Sequence, residues 1–338
     1  MLLTAFPLYV VSLGGSEHAV GLLVGLFAFS AVLFRLYFGT AADRRGRKVV
    51  LAASIAASTV GPLLYIMPWG MVYLGGARIL HAIGAAAFIV ASQTLLADFS
   101  HLKNRGRAFG LYAAASGIPM AFAPQLGLTI ARLWGYPWVF LAASLCGLFM
   151  LPGYFLIQEQ GITRTEGLPK TWQAVVDSFQ AALSNRWVWV SGIALLSSTV
   201  VLGALQSFLP LHATAVGIGD IGFYYTGFAT AFIASGMLSG PISDSVGRKA
   251  VAAPSFLLMA FGLLILSRLQ SSAMLVAAGF IIGGGFGSAN TVLLALAADK
   301  APRDQRAKAV SFLNNNFDLG IALGSMTMGF LAARSYGM

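Results

Sequence analysis

Gly39-Thr40-Ala41-Ala42-Asp43-Arg44-Arg45-Gly46-Arg47-Lys48 separates two long apolar runs, and Gly240-Pro241-Ile242-Ser243-Asp244-Ser245-Val246-Gly247-Arg248-Lys249 does the same 201 residues later. The same offset, without a gap, pairs Gly21 with Gly222, Asp98 with Asp299 and Arg105 with Arg306. One register held over about 85 residues marks two homologous halves, because chance identities would not survive four apolar runs and three loops. An even number of runs separates equivalent loops, so the halves share one orientation.

Outward from these loops the chain is apolar almost throughout. Of its 338 residues, 58% are hydrophobic and 9% charged, against roughly 25% charged in soluble globular domains. That balance excludes a soluble enzyme or soluble binding domain. Runs of about 20 apolar residues match the hydrocarbon thickness of a bilayer. They do not alternate in polarity, so they read as helices rather than barrel strands. The spans fall near 1–13, 18–41, 49–67, 70–97, 107–131 and 137–157, then 187–211, 219–243, 250–267, 272–298 and 309–333. The fold class is an all-α polytopic membrane protein of two six-helix pseudo-repeats. The N-terminal half covers 1–157, a cytoplasmic linker 158–186, and the C-terminal half 187–338. Eleven spans are visible; a short first span of 13 residues rises only about 20 Å, so it is expected to begin part-way through a helix, and a twelfth span is expected and absent. Within the linker, Trp172, Val175, Val176, Phe179 and Leu183 share one helical face, which predicts an amphipathic helix on the membrane surface.

Charge sets the orientation. Of 21 Lys and Arg residues, sixteen fall in loops on one side, three on the other (Arg132, Arg268, Arg334) and two, Arg35 and Arg78, within spans. The excess belongs in the cytoplasm. The formal charge of +10 is therefore dispersed over short loops, not clustered on a nucleic-acid-binding face. The single cysteine, Cys146, lies in an apolar run and reads as a small packing residue. The four histidines show no metal-ligand spacing, and no cofactor or metal is expected. An enzyme would need clustered acid, base or ligand groups, and a channel a filter or charge ring; neither pattern is present. Parallel six-span halves are instead a transporter architecture, with substrate bound near mid-membrane between halves that rock.

The first loop, from Gly39 to Lys48, resembles the signature loop of the major facilitator superfamily, Gly-x-x-x-Asp-Arg-x-Gly-Arg-Lys, and the second copy departs from it with Ser245 where Arg44 stands. Physically, Gly46 and Gly247 suit a tight turn, and Gly39 and Gly240 permit close helix approach. Asp43 can sit against a helix N-terminus such as that of span 11 near Arg306, Arg47 can pair with Asp98, and Asp244, Arg248 and Asp299 are their counterparts. The resemblance implies that Gly39, Asp43, Arg44, Gly46, Arg47, Asp98, Gly240, Asp244, Gly247, Arg248 and Asp299 form a conformational latch for the outward-open state.

Span 4 carries Arg78-Ile79-Leu80-His81-Ala82-Ile83-Gly84, similar to a second pattern of that superfamily associated with proton coupling. An intramembrane Arg is costly enough to need a function or a partner. His81 titrates near neutral pH when unperturbed, so a proton-carrying role and a hydrogen-bonded neutral role both stand. In span 5, Gly117-Ile118-Pro119 and Ala123-Pro124-Gln125-Leu126-Gly127 resemble the antiporter motif of drug exporters, with Ala123 replacing its first Gly; a small-residue packing face is the alternative. Asp318, in Asn314-Asn315-Asn316-Phe317-Asp318, is the one acid in the middle of a span. Arg35 lies roughly 12 Å outward of Asp43, and Asp318 roughly 15 Å outward of Lys308. The resemblance brings spans 2 and 11 face to face, so an Arg35–Asp318 pair across the halves is expected. It also implies a cavity lined by spans 1, 4, 7 and 10, with Tyr9, His81, Gln93, Gln206, His212 and Asn290 as candidates.

The function expected is secondary active transport by alternating access: proton-coupled efflux of a small hydrophobic or cationic molecule by a monomer in a bacterial cytoplasmic membrane. A proton-coupled or facilitative importer of a sugar or metabolite, and a truncated chain that does not transport, are the alternatives.

Overall fold

The computed structural model describes residues 1–67, 69–99, 105–157, 180, 185–218, 221–302 and 305–335. Among these, the helices are α1 (Leu2–Ser12), α2 (Glu17–Arg45), α3 (Arg47–Leu64), α4 (Met71–Phe99), α5 (Arg105–Trp134), α6 (Tyr136–Leu148), α7 (Leu151–Leu156), α8 (Arg186–Ala215), α9 (Gly222–Val246), α10 (Arg248–Leu266), α11 (Ser272–Lys300) and α12 (Arg306–Ser335). Helices α6 and α7 together form one membrane-length segment, Tyr136–Leu156. The amphipathic helix expected within 158–186 lies outside the described residues.

The repeat extends to the helix ends. Helices α11 and α12 begin and end 201 residues after α4 and α5, and α10 begins 201 residues after α3. At the equivalent junctions α2/α3 and α9/α10 the chain turns on Gly46 (φ 102°) and Gly247 (φ 97°), a region L side chains avoid.

Seven segments are long and apolar enough to cross a membrane: 17–39, 47–64, 71–96, 136–156, 186–215, 248–266 and 272–300. Eleven spans were expected from the sequence; α5, α9 and α12 fall outside the seven, and α1 has 11 residues. The physical reason lies in what these three helices face. α5 packs on α9 and α12 on α2, across the two halves, and α12 also packs on α8 of its own half, where the buried Asn316 lies against Gly192, so these helices meet protein as well as lipid and need less apolar surface.

Within the C-terminal half, α9 and α11 pack most intimately. Gly279, Gly283 and Gly287 recur every fourth residue, and a Cβ at any of them would run into the carbonyl oxygen of Tyr224, Phe228 or Phe232 respectively. Removing side chains from one helix face lets backbones approach closely, which is how helices associate without a hydrophobic driving force. Gly320 and Gly324 of α12 do the same against Thr199 and Val200 of α8.

The halves meet at the end remote from the basic loops. Gly21 abuts Ser325 and Gly329, Gly25 abuts Met326, and Gly222 abuts Gln125. Two hydrophobic clusters at this end bridge the halves: one joins Phe6, Tyr9, Tyr65 and Phe140 to Phe208 and Ala332, the other joins Tyr224, Tyr225 and Phe228 to Met120 and Leu128. At the basic end each cluster belongs to a single half: Phe38, Val50, Leu51 and Leu95 in one, Val188, Ala297, Ala309 and Phe312 in the other. A Cβ built on Gly39 or Gly240 meets no described atom within 4 Å. Among the described residues, the clusters and glycine contacts that join the halves lie at the end remote from the basic loops, and none joins them at the basic end.

Candidate functional site

Arg35, ten residues before the end of α2, and Asp318, twelve residues into α12, meet across the two halves. The Arg35 guanidinium donates through Nη1 to the Asp318 carboxylate. Both side chains remain about one-fifth exposed, 21% and 17%. The Arg35 Nε is buried and has no hydrogen-bond partner among the described residues. One guanidinium edge is thus committed across the halves while another is unsatisfied, so the pair is held by less than the bidentate geometry an Arg–carboxylate pair can reach.

The two signature loops are built alike. Arg47 Nε lies 3.0 Å from the Asp98 carboxylate and Nη1 donates to the Ala42 carbonyl at 3.2 Å. The counterpart Arg248 reaches Asp299 at 3.0 Å, Asp244 at 2.6 Å and the Ser243 hydroxyl at 2.6 Å. Each Arg therefore caps the last turn of the helix before its junction and ties it to the end of the fourth helix of the same half. Arg44 is exposed. Nothing is described of the Asp43 side chain, and these ion pairs all lie within one half, at the end where the halves are parted.

Arg78 is buried, 6% exposed, with its guanidinium over the rings of Phe6 and Phe27 (4.1 and 4.5 Å) and Nε donating to the Leu23 carbonyl at 3.3 Å. No described carboxylate pairs with it. In the repeat, Arg78 corresponds to Gly279 and Leu23 to Tyr224, and Gly279 abuts the Tyr224 carbonyl. The same carbonyl is thus met by a close-packed glycine in one half and by an arginine side chain in the other. His81 Nδ1 lies 3.1 Å from the Tyr65 hydroxyl, its ring lies against Phe27, and Tyr9 donates its hydroxyl to the Tyr65 carbonyl at 2.6 Å. Tyr9, Tyr65, Arg78 and His81 therefore form one network that joins α1, α3 and α4. Tyr65 and Phe27 carry it as much as the residues singled out from sequence; aromatic residues in apolar spans gave no signal to find them by.

Of the other cavity candidates, Gln93 is exposed, and His212 and Asn290 are half-buried on α8 and α11. Gln206 lines a narrow cleft of about 10 Å³ between the halves, with Leu3, Met120, Leu202, Leu205, Tyr224, Tyr225 and Phe228. The cleft draws on α1, α5, α8 and α9, two of which were not expected to line the cavity. Tyr224 and Tyr225 were missed in the sequence for want of any charge or motif. In α5, Pro119 is exposed, Pro124 is buried and its carbonyl accepts from Thr4 Oγ1 at 3.3 Å, and Gly127 abuts the Met1 backbone. Gly117 lies in the same helix, and Gln125 rests on Gly222. Among the described residues no three His, Cys, Asp or Glu side chains converge as metal ligands would.

The sequence profile of the Major Facilitator Superfamily matches residues 1–219 and 212–337. The staphylopine export protein of Staphylococcus aureus is 23% identical over 335 residues, covering 96% of this chain and 83% of that protein. The multidrug resistance protein MdtG of Salmonella arizonae is 25% identical over 350 residues, covering 98% and 84%. The crystal structure of a bacterial homologue of the human lysosomal transporter Spinster, inward-facing and unoccupied, superposes with a TM-score of 0.81 at 17% identity, over 99% of this chain and 80% of that one.

Proposed function

The chain belongs to the Major Facilitator Superfamily and is a multi-pass membrane transporter of small molecules, and from that premise we propose that it exports its substrate in exchange for protons by alternating access. The observation that carries the reading is the Arg35–Asp318 ion pair. Asp318 is the one acid in mid-span, it is bound to the opposite half, and an intramembrane charge is expensive unless paired or protonated. Protonation of Asp318 would release Arg35 and weaken the tie between α2 and α12; deprotonation restores it. One proton is thereby exchanged for one change of interface.

The excess of Lys and Arg supports a cytoplasmic position for the basic end, and on that reading this arrangement is the inward-open member of the cycle. Opening outward requires separating the glycine-lined contacts at Gly21, Gly25 and Gly222 and closing the gap at Gly39 and Gly240. In that closed state Asp43 and the loops around it meet the opposite half, and the Arg47–Asp98 and Arg248–Asp299 pairs keep each loop in shape for the encounter. The relatives named for export, of staphylopine and of multiple drugs, support the outward direction.

The test is substrate-dependent proton movement in inverted vesicles. Compounds carried by the wild type should release protons, Asp318→Asn should lose at least tenfold of that flux, and Arg35→Gln with Asp318→Asn should recover transport without proton flux. A wild-type protein that carries substrate with no proton movement makes the chain a uniporter; flux unchanged in Asp318→Asn moves the coupling site elsewhere.

A further inference from the structure

The repeat turns the outer closure into a matched pair of seams. Helix α2 meets α12 in one, and α9 meets α5 in the other. Gly21 and Gly222 are equivalent positions, as are Met326 and Gln125. The two seams can therefore be compared side chain by side chain.

In the α2–α12 seam, Gly21 abuts the Ser325 carbonyl and the Gly329 Cα, and Gly25 abuts the Ala322 carbonyl and the Met326 side chain. Backbones brought this close gain contact along the whole facing surface. The hydroxyl in this seam is satisfied inside its own half: Ser325 donates to the Gly203 carbonyl at 3.1 Å and accepts from Ser207 at 2.9 Å. Farther inward, Arg35 and Asp318 tie the same two helices.

At matched positions the α5–α9 seam is polar. Leu23, Val24 and Met326 give way to Tyr224, Tyr225 and Gln125. Gln125 rests on Gly222, and its Oε1 and the two tyrosine hydroxyls are buried without a hydrogen-bond partner among the described residues. The void beside the tyrosines, about 10 Å³, is no larger than one water and has mostly apolar walls, so it does not hydrate them. Arg35 and Asp318 correspond here to Gly236 and Gly117, which cannot form an ion pair. Polar groups buried without partners destabilise the closed seam, and they regain water when it parts.

We propose that the outer side opens unevenly: the α5–α9 seam hydrates and parts first, and the α2–α12 seam is the last outer contact to let go. The inference rests on the alternating-access reading and adds an order to it. Tyr224, Tyr225 and Gln125 form a built-in weak point, so the first opening to the outside lies between α5 and α9.

Val20 and Ile221 are equivalent positions just before the two glycines, and both are buried, 0% and 2% exposed. In a Cys146→Ala background, Val20→Cys and Ile221→Cys are compared for reaction with an impermeant maleimide added outside, each rate normalised to that of the denatured protein. Ile221→Cys should react faster by about tenfold or more, because labelling of a buried thiol follows local opening. Gln125→Met, Tyr224→Phe and Tyr225→Phe together give this seam the polarity of its counterpart. They should slow Ile221→Cys by about tenfold without lowering the melting temperature. Tyr225→Phe alone should slow it by a smaller factor, and it serves as the test if the combination does not fold. Equal rates at the two thiols, a faster Val20→Cys, or an Ile221→Cys rate untouched by the substitutions would each overturn the order of opening. In those cases labelling of Ala332→Cys leaves alternating access standing, whereas silence at all three positions overturns both.

Discussion

Two arginines within the spans solve the same problem differently. Arg35 finds a carboxylate across the halves, whereas Arg78 finds two ring faces and a carbonyl inside one half. The first arrangement can be switched by a proton, and the second cannot, so their variants should separate. A double-mutant cycle on Arg35→Gln and Asp318→Asn, read in thermal stability, should give a coupling of about 1–3 kcal/mol; additive effects would mean that the pair contributes nothing to holding the halves. Arg78→Ala should lower stability by about 2–3 kcal/mol with proton stoichiometry unchanged among surviving molecules. Arg78→Lys should restore little of it, because a point charge cannot lie flat between Phe6 and Phe27 as guanidinium does. Full rescue by Lys would show that charge alone is needed. At this scale the sequence was informative where charge is rare: one mid-span acid and two intramembrane arginines stood out among apolar neighbours. Tyr65, Tyr224 and Tyr225 did not, since a tyrosine in an apolar span announces neither its partner nor the lack of one.

At the scale of helices, the exactness of the repeat made the elements legible, and the 201-residue spacing reappears in the bounds of α4, α5, α11 and α12. What could not be read was which helix faces carry glycine for contact within a half and which for contact between halves, because both use the same residue at similar spacing. Gly279, Gly283 and Gly287 belong to the first kind, Gly21 and Gly25 to the second. The distinction has a measurable consequence. Gly21→Val puts a branched side chain against Ser325 and Gly329 of the opposite half, and overpacking of about 1–3 kcal/mol should raise the outward-open fraction by about 5- to 150-fold. In a Cys146→Ala background, Ala332→Cys should then react faster with an impermeant maleimide added outside. Gly283→Val acts within one half and should reduce stability without changing that rate. Equal rates in Gly21→Val and its parent would mean that this contact does not control opening.

For the whole molecule, a chain 9% charged disclosed membrane residence, and its basic excess on one side predicts an orientation, while the state of the cycle was invisible, since the same sequence must satisfy both states. The parted end is directly testable: in inverted vesicles and the same Cys146→Ala background, Gly39→Cys and Gly240→Cys should label readily with impermeant maleimide. Lack of reaction would place the resting protein in the opposite state. The two ends also differ in the forces that shut them. The outer end closes by glycine-backbone contact and apolar clusters with no ion pair among the described residues, whereas the inner loops carry sixteen basic residues against eight acidic ones, so closing that end crowds like charge. Ionic strength is therefore a selective lever on the cycle. Raising potassium chloride from 0.01 to 1 M shortens the screening length from about 30 Å to about 3 Å and should protect Gly39→Cys from labelling by easing inner closure, while the outer contacts, having no field to screen, stay indifferent to salt.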